Sequence, residues 1–190
     1  MRIKKQKLIN IFFLIGFISF GYSNEKKLLS TDVLPLLEGV VNVTYEIAQN
    51  EKSSLSFGGG VLKYSVPNWE FSGTAIEVSY KIFPSKTALK GMYYGPVAGV
   101  LSISAKYEYE DVIITENGDV TIEKKTEQAS GTFLGIGGYL GYRWIWTNRV
   151  ALDLYASISY ISGELIVSGE KAPFGGETTI GYGVRIGYAW

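Results

Sequence analysis

The sequence predicts an all-β fold, an eight-stranded antiparallel up-and-down transmembrane β-barrel. Three observations lead to this prediction. Residues 178–190 alternate strictly between large apolar side chains and a face of Gly, Ala and Arg185, the period of a strand with two different sides. Seven further segments have strand character, and residues 1–23 have the layout of an export signal. After residue 23 no apolar run has the length of a membrane-spanning helix, so a membrane protein of this sequence has to cross as a barrel.

The N-terminal segment predicts export and cleavage. Residues 1–7 are basic, residues 8–20 are apolar, and Gly21 and Ser23 supply the small side chains that a signal peptidase requires. The apolar stretch is shorter than the roughly 20 residues that a transmembrane helix needs. We therefore expect a signal peptide over 1–23 and a barrel domain over 24–190.

Composition restricts both chemistry and partners. Four of the 18 basic residues lie in the signal, so residues 24–190 carry 14 basic against 18 acidic side chains, which predicts no nucleic-acid partner. The chain contains no Cys, so an exported domain of this size has to be stable without disulfides. It also contains no His, and without either residue the usual general base and the usual zinc ligands are missing. We therefore expect a protein that is not an enzyme and has no metal or cofactor.

The strands are expected in a regular order along the chain. The first is short and weak, because Pro35 interrupts it. Alternation and polar turns place six strands at about 27–34, 39–48, 54–64, 73–83, 150–167 and 178–190, with two more between 93 and 142.

The two strands between 93 and 142 are expected to form one long hairpin. Asn117-Gly118 is the preferred dipeptide of a type I′ turn. Pairing about it makes facing residue numbers sum to 235, so that Ile113 faces Ile122 and Leu101 faces Leu134. Because a membrane strand needs only about 9–11 residues, the part of the hairpin over 107–129 is expected to project beyond the bilayer.

An even strand number with both ends in the periplasm sets the orientation. The turns at 49–53, 84–91 and 145–149 are then periplasmic. The segments 65–72, 107–129 and 168–177 are then outside the cell. Short inner turns with mostly longer outer loops are the expected asymmetry of such barrels.

The alternation also predicts a set of charged residues inside the barrel: Glu46, Glu77, Lys81, Lys106, Arg143, Asp153 and Arg185. Arg143 and Asp153 flank the turn at 147, so they are expected to be cross-strand neighbours, with Arg185 joining them from the next strand. An eight-stranded barrel is just wide enough for its interior to be filled by side chains. Two interpretations stay open, a salt-bridge network that plugs the lumen and a narrow pore that this network gates.

The signal, the eight alternating strands, the glycine-rich descending strands and the final Gly187-Tyr-Ala-Trp190 resemble the small outer-membrane β-barrels of the OmpA- and OmpX-like superfamily. The resemblance implies a barrel in outer-membrane lipid, without a following periplasmic domain. It also implies that Tyr188 and Trp190 form the signal that the barrel assembly machinery recognises.

The expected function is that of a non-enzymatic outer-membrane protein, structural or interacting with an extracellular surface or host partner through the hairpin over 107–129. A narrow gated, porin-like channel is one alternative. The other is a soluble exported lipocalin-like binder, which would hide the apolar face in a cavity and leave Glu46, Glu77 and Arg185 in water.

Overall fold

The computed structural model describes residues 25–37, 39–85, 87–114, 120–167 and 169–190. The expected signal peptide over 1–23 lies outside these described residues. No helix within the described ranges is long and apolar enough to cross a membrane.

Eight strands and one short helix make up the described chain. The strands are β1 (Lys27–Asp32), β2 (Val40–Asn50), β3 (Ser53–Val66), β4 (Trp69–Ile82), β5 (Gly91–Ile114), β6 (Val120–Ile145), β7 (Val150–Val167) and β8 (Glu170–Ala189); helix α1 (Val33–Leu37) follows β1. Each strand pairs antiparallel with the next, and β1 pairs with β8, so the strands close into a ring. The prediction of an all-β fold with eight antiparallel up-and-down strands is confirmed.

One alternation of faces runs around the whole ring. Inward-facing residues have even numbers in β1 to β3 and odd numbers in β4 to β7 and in β8 from Glu177 onward. A register shift between Ile161 and Gly163 turns the even-numbered Phe174 inward in the first part of β8. In the strand registers, Glu46 lies opposite Ser56 and Ser56 lies opposite Ser79. On the other side of the ring, Asp153 lies opposite Arg185. Because side chains alternate with period two, this register turns every charged inward residue toward the same interior.

Both described chain ends meet at one end of the ring, which we call the base; the opposite end is the rim. The carbonyl of Trp190 accepts hydrogen bonds from the backbone N–H groups of Lys26 and Lys27 at 2.9 and 3.0 Å. The connection from β4 to β5 folds across the base and buries Leu89, whose backbone is left-handed at φ 70°. An apolar layer seals this end: Leu28, Leu89, Ile145, Ala151 and Ala189.

The rim connections differ from the loops that the sequence predicts. The segments 65–72 and 168–177 are largely strand, because β3 and β4 continue to a turn at Pro67 and Asn68, and β8 already begins at Glu170. Asn68 has φ 69° and Gly169 φ 89°, conformations that make such tight turns feasible. The predicted asymmetry of turn lengths is therefore wrong in the described chain, since the strands themselves reach outward.

The register between β5 and β6 is one residue away from the prediction. Facing numbers sum to 234, so Leu101 faces Phe133, and it is Val112 that faces Ile122. Both faces of β5 are apolar near the base, with Tyr93 inward and Tyr94 outward, so alternation alone cannot distinguish them. Asn117 and Gly118 lie outside the described residues.

Candidate functional site

The buried charges of the lower barrel centre on Glu46. Its Oε2 accepts a hydrogen bond from Lys81 Nζ at 2.7 Å, and its Oε1 accepts one from Ser54 Oγ at 2.5 Å. Arg143 donates to the same carboxylate from both terminal nitrogens, Nη1 to Oε1 at 3.0 Å and Nη2 to Oε2 at 2.9 Å. Both oxygens are therefore occupied by ionic partners, as a buried carboxylate requires.

Arg143 continues this network toward β7. Its Nη2 donates to Asp153 Oδ2 at 2.7 Å, and Tyr93 Oη donates to Asp153 Oδ1 at 2.8 Å. The guanidinium also lies over the Tyr93 ring, 5.3 Å from its centre. Gly141 faces Tyr93 across the sheet, and a Cβ at Gly141 would lie 2.5 Å from the phenol oxygen. The missing side chain therefore makes room for the ring that binds Asp153.

A second group lies beside the first and centres on Arg185. Its Nε donates to Asp32 Oδ2 at 3.0 Å, and its Nη2 lies 3.7 Å from Glu77 Oε1. Tyr139 Oη donates to Glu77 Oε2 at 2.6 Å. The guanidinium stacks over Tyr155, with 4.1 Å between its carbon and the ring centre. Arg185 Nη1 and Asp32 Oδ1 have no hydrogen-bond partner within the described part of the protein.

The two groups differ in charge balance and in exposure. Two cations and two carboxylates balance around Glu46, whereas Arg185 faces two carboxylates, Asp32 and Glu77. Almost all these side chains are fully buried, but 29% of the Glu77 side chain is exposed. The excess negative charge therefore lies next to the carboxylate that solvent reaches.

Five of the seven predicted inward charges are buried inside the barrel: Glu46, Lys81, Arg143, Asp153 and Arg185. Arg185 is the register neighbour of Asp153 as expected, but its ion pair is with Asp32. Lys106 is a correction, because its side chain is 42% exposed and pairs with Glu108 at 2.8 Å. Lys106 has an even number and therefore lies on the outer face of β5. The predicted register, which is one residue off, turns the even-numbered residues of β5 inward, and this is why the prediction for Lys106 is wrong.

The predicted interior network leaves out four residues that contact its charges: Asp32, Tyr93, Tyr139 and Tyr155. Asp32 belongs to the weakest strand, where Leu28, Ser30 and Asp32 form an inward series that is readable only once the strand is accepted. Tyr139 and Tyr155 lie opposite glycine-rich segments, which is the signal that could have identified them as interior rings.

Above the charged groups the interior is lined by a mixture of small and large side chains. Side chains below Glu77 are buried, including Ser54, Ser56 and Ser79. The inward positions above it are of mixed size, since Gly58, Ala75, Gly99, Gly135, Ser157 and Gly181 are small and partly exposed, whereas Leu101, Phe133 and Ile161 are large and Phe133 is only 8% exposed.

The outer face of the barrel is apolar and uncharged, in contrast to the charged interior. Ile180 and Tyr182 are 78% and 79% exposed, and the same exposed apolar surface continues over β4 to β7 with Ile76, Ile136 and Ile158. The outward positions of β6 from Leu134 to Trp144 are uncharged, and so are those of β7 from Leu152 to Tyr160. The apolar residues therefore form an uncharged band around the outside of the barrel.

Charged side chains reappear on the hairpin that extends past the rim. Lys125 on β6 donates a hydrogen bond to Asp111 on β5, and this bond holds the pKa of the Asp111 carboxyl below its usual range.

The last aromatic residues lie at the other end of the barrel. Trp190 packs against Tyr45 with ring centres 6.2 Å apart, and Tyr188 is outward on β8. The assembly role of Tyr188 and Trp190 stays a prediction.

Among the described residues no group of three or more acidic side chains is arranged to hold a metal ion. Comparison with known families finds a match over most of the chain. The model of a family described as Protein of unknown function (DUF3575) matches residues 9–165. No curated protein matches the chain.

Proposed function

The chain belongs to the DUF3575 family, and from this premise we propose that it is a non-enzymatic β-barrel of the bacterial outer membrane. In this proposal it is structural or contacts an extracellular surface through the hairpin over 107–129. We include in this proposal that the protein is related to OmpA- and OmpX-like barrels. We also include that its partners are outer-membrane lipid and the barrel assembly machinery.

The uncharged outer band is the observation that carries this proposal. Along β6 it runs from Leu134 to Trp144, ten residue steps of about 3.3 Å each, or about 33 Å of strand. At a tilt of about 45° this strand rises about 23 Å, close to the apolar band of about 25 Å on membrane barrels. In water a surface of this size would be an aggregation hazard, whereas in lipid it would be the contact surface.

The interior supports a plugged barrel over a gated channel. The ion pairs around Glu46 connect opposite walls, and the apolar layer with Leu89 closes the base below them. The soluble lipocalin-like alternative needs the reverse arrangement, with the apolar face enclosed and Glu46 in water. Glu46 and Arg185 are instead buried, while Ile180 is exposed.

The hairpin of β5 and β6 supports a role at the surface. These strands have 24 and 26 residues, about twice the length that a membrane strand needs. The surplus lies beyond the rim and carries charged side chains such as Glu108 and Lys125. It would project from the outer leaflet if the base faces the periplasm.

Fractionation of cells that produce the protein tests the proposal. We expect it with the outer membrane, solubilised by detergent and not by salt or urea washes, and with heat-modifiable migration on a gel. A known periplasmic protein in the same extract is the control for lysis. Recovery of the folded protein with the periplasmic fluid would favour the lipocalin-like alternative.

A further inference from the structure

A cavity of about 850 Å³ opens at the base, next to the apolar layer that contains Leu89. Three positively charged side chains line it, from the segment before β1, the connection from β4 to β5 and the turn before β7: Lys26, Lys90 and Arg149. Within the described residues none of these three cations forms an ion pair with a carboxylate. We propose that this cavity binds the phosphate group of a phospholipid headgroup.

The end of β8 positions two of the three cations. On one side, the N–H of Lys26 donates to the Trp190 carbonyl at 2.9 Å. On the other side, the N–H of Ala189 donates to the Arg149 carbonyl at 2.9 Å, and the N–H of Arg149 donates to the Trp146 carbonyl at 2.8 Å. Because both backbones are fixed beside the cavity, binding an anion has to order only the two side chains, which lowers the entropic cost of binding.

The third cation lies on a connection that is anchored to the barrel interior. Leu89 is fully buried in the apolar layer, and its carbonyl accepts a hydrogen bond from Arg143 Nη1 at 3.4 Å. The N–H of Ala88 donates to the Glu51 carbonyl at 2.9 Å, which ties the connection to the turn between β2 and β3. Lys90 itself is exposed and lines the cavity, so its charge is presented from a fixed backbone.

The charge of the lining favours an anion. The side chains of the three cations outnumber the two carboxylates, Glu25 and Glu51. A phosphodiester carries one negative charge, which equals the difference between the two sets of side chains. Ammonium and guanidinium groups also form charge-assisted hydrogen bonds with phosphate oxygens, which are stronger than hydrogen bonds between neutral groups.

The position of the cavity favours a lipid headgroup over a free ion. Trp190 lines the cavity and packs against Tyr45, an outward residue of β2, with ring centres 6.2 Å apart. The uncharged outer band ends at Trp144, shortly before the turn that leads to Arg149. Trp and Tyr are enriched where a bilayer meets water. With lipid around the band the cavity would lie at the depth of the headgroups, and this step rests on the proposed function.

Calorimetric titration of the refolded protein in a non-ionic detergent with dihexanoyl-phosphatidylglycerol tests the site. We expect saturable binding at low ionic strength, and none of dihexanoylglycerol, which has the same chains and no phosphate. Inorganic phosphate should bind about tenfold more weakly or less, because it lacks the apolar contacts of the chains with Trp190. Equal binding of dihexanoylglycerol would overturn the proposal. Equal binding of inorganic phosphate would assign the cavity to the free ion and would also overturn it.

Variants with effects of opposite sign separate charge from folding. The double variant Lys90→Gln, Arg149→Gln should weaken binding by about tenfold or more, as loss of close charge pairs does. Glu51→Gln removes a carboxylate from the lining and should tighten binding by about twofold or more. The matched control is Lys63→Gln, because Lys63 is an exposed lysine of β3 at the rim end, and its affinity should equal that of the wild type. Unchanged affinity in the double variant, or weaker binding by Glu51→Gln, would overturn the proposal.

A single variant and cell fractionation complete the test. If the double variant fails to fold, Lys26→Gln, in an exposed segment before β1, should weaken binding by about threefold or more. A protein that fractionates with the outer membrane but does not bind the phospholipid would overturn the site alone. Recovery with the periplasmic fluid would overturn the membrane location, and the titration, which needs only folded protein, would still decide the site.

Discussion

Arg143 on β6 and Glu46 on β2 form a two-point ion pair across the inside of the barrel, with N–O distances of 3.0 and 2.9 Å. Their strands are not neighbours in the ring, so this pair links opposite walls. Lys81 and Asp153 extend the same contacts to β4 and β7. Four strands are therefore held by one buried network, and its members should not be energetically equivalent.

Glu46→Ala should be the most destabilising single change in this network. It would leave buried Lys81 without its ion-pair partner and remove one of the two carboxylates that bind Arg143. Stranding a buried charge costs about 3–5 kcal/mol, and we expect a loss in this range in urea unfolding of the protein refolded in detergent. Glu70→Gln on the outer face is the control, with almost no loss. Equal stabilities of Glu46→Ala and Glu70→Gln would show that water solvates the stranded cations.

Asp153→Ala should cost less than Glu46→Ala. Arg143 keeps its two hydrogen bonds to Glu46, although its Nε and the Tyr93 hydroxyl lose Asp153 as their acceptor. Conductance in planar bilayers separates the plug from the gated pore. We expect a silent wild type, and a variant that is less stable or newly leaky. Steady conduction by the wild type, with the stability of Asp153→Ala unchanged, would favour the channel.

The difference between β8 and β5 shows what alternation can predict. On β8 one face has Gly181, Gly183 and Arg185 and the other has Ile180 and Tyr182, so the two sides differ in size and the inward face is readable. On β5 both faces are apolar near the base, so the alternation predicts the wrong face for Lys106. The register of a hairpin transmits such an error along its whole length.

Contacts across the lumen are a second feature that alternation in the sequence cannot predict. The pairing of Arg143 with Asp153 follows from the turn between their strands and is local in the chain. The pairing of Arg143 with Glu46 depends on how far the strands are staggered around the closed ring. That stagger arises from all eight registers together, so the sequence predicts which charges are inside and not which of them meet.

A charge on the outer band should be costly only within the band. Ile136→Arg places a cation in the middle of the uncharged surface of β6, and Ile122→Arg places one on the hairpin beyond the rim; both side chains are outward and exposed. In lipid the first should lose about 2–4 kcal/mol of folding free energy and the second almost nothing. The measurement is urea unfolding in lipid vesicles of both variants beside the wild type. Equal tolerance of both substitutions would argue against lipid around the band.

The last prediction concerns the orientation of the barrel in the outer membrane. All described strands alternate in direction, so β5 ends on the rim side and the turn Trp146–Asn148 lies at the base with the chain ends. If the base faces the periplasm, a small epitope inserted at 117 should be labelled by antibody on intact cells. The same epitope inserted at 147 should be labelled only after the outer membrane is opened, and it is the matched control because both insertions lie between antiparallel strands. Heat-modifiable migration of both variants shows that each has folded. Labelling at 147 but not at 117 on intact cells would invert the barrel and remove the hairpin from the cell surface.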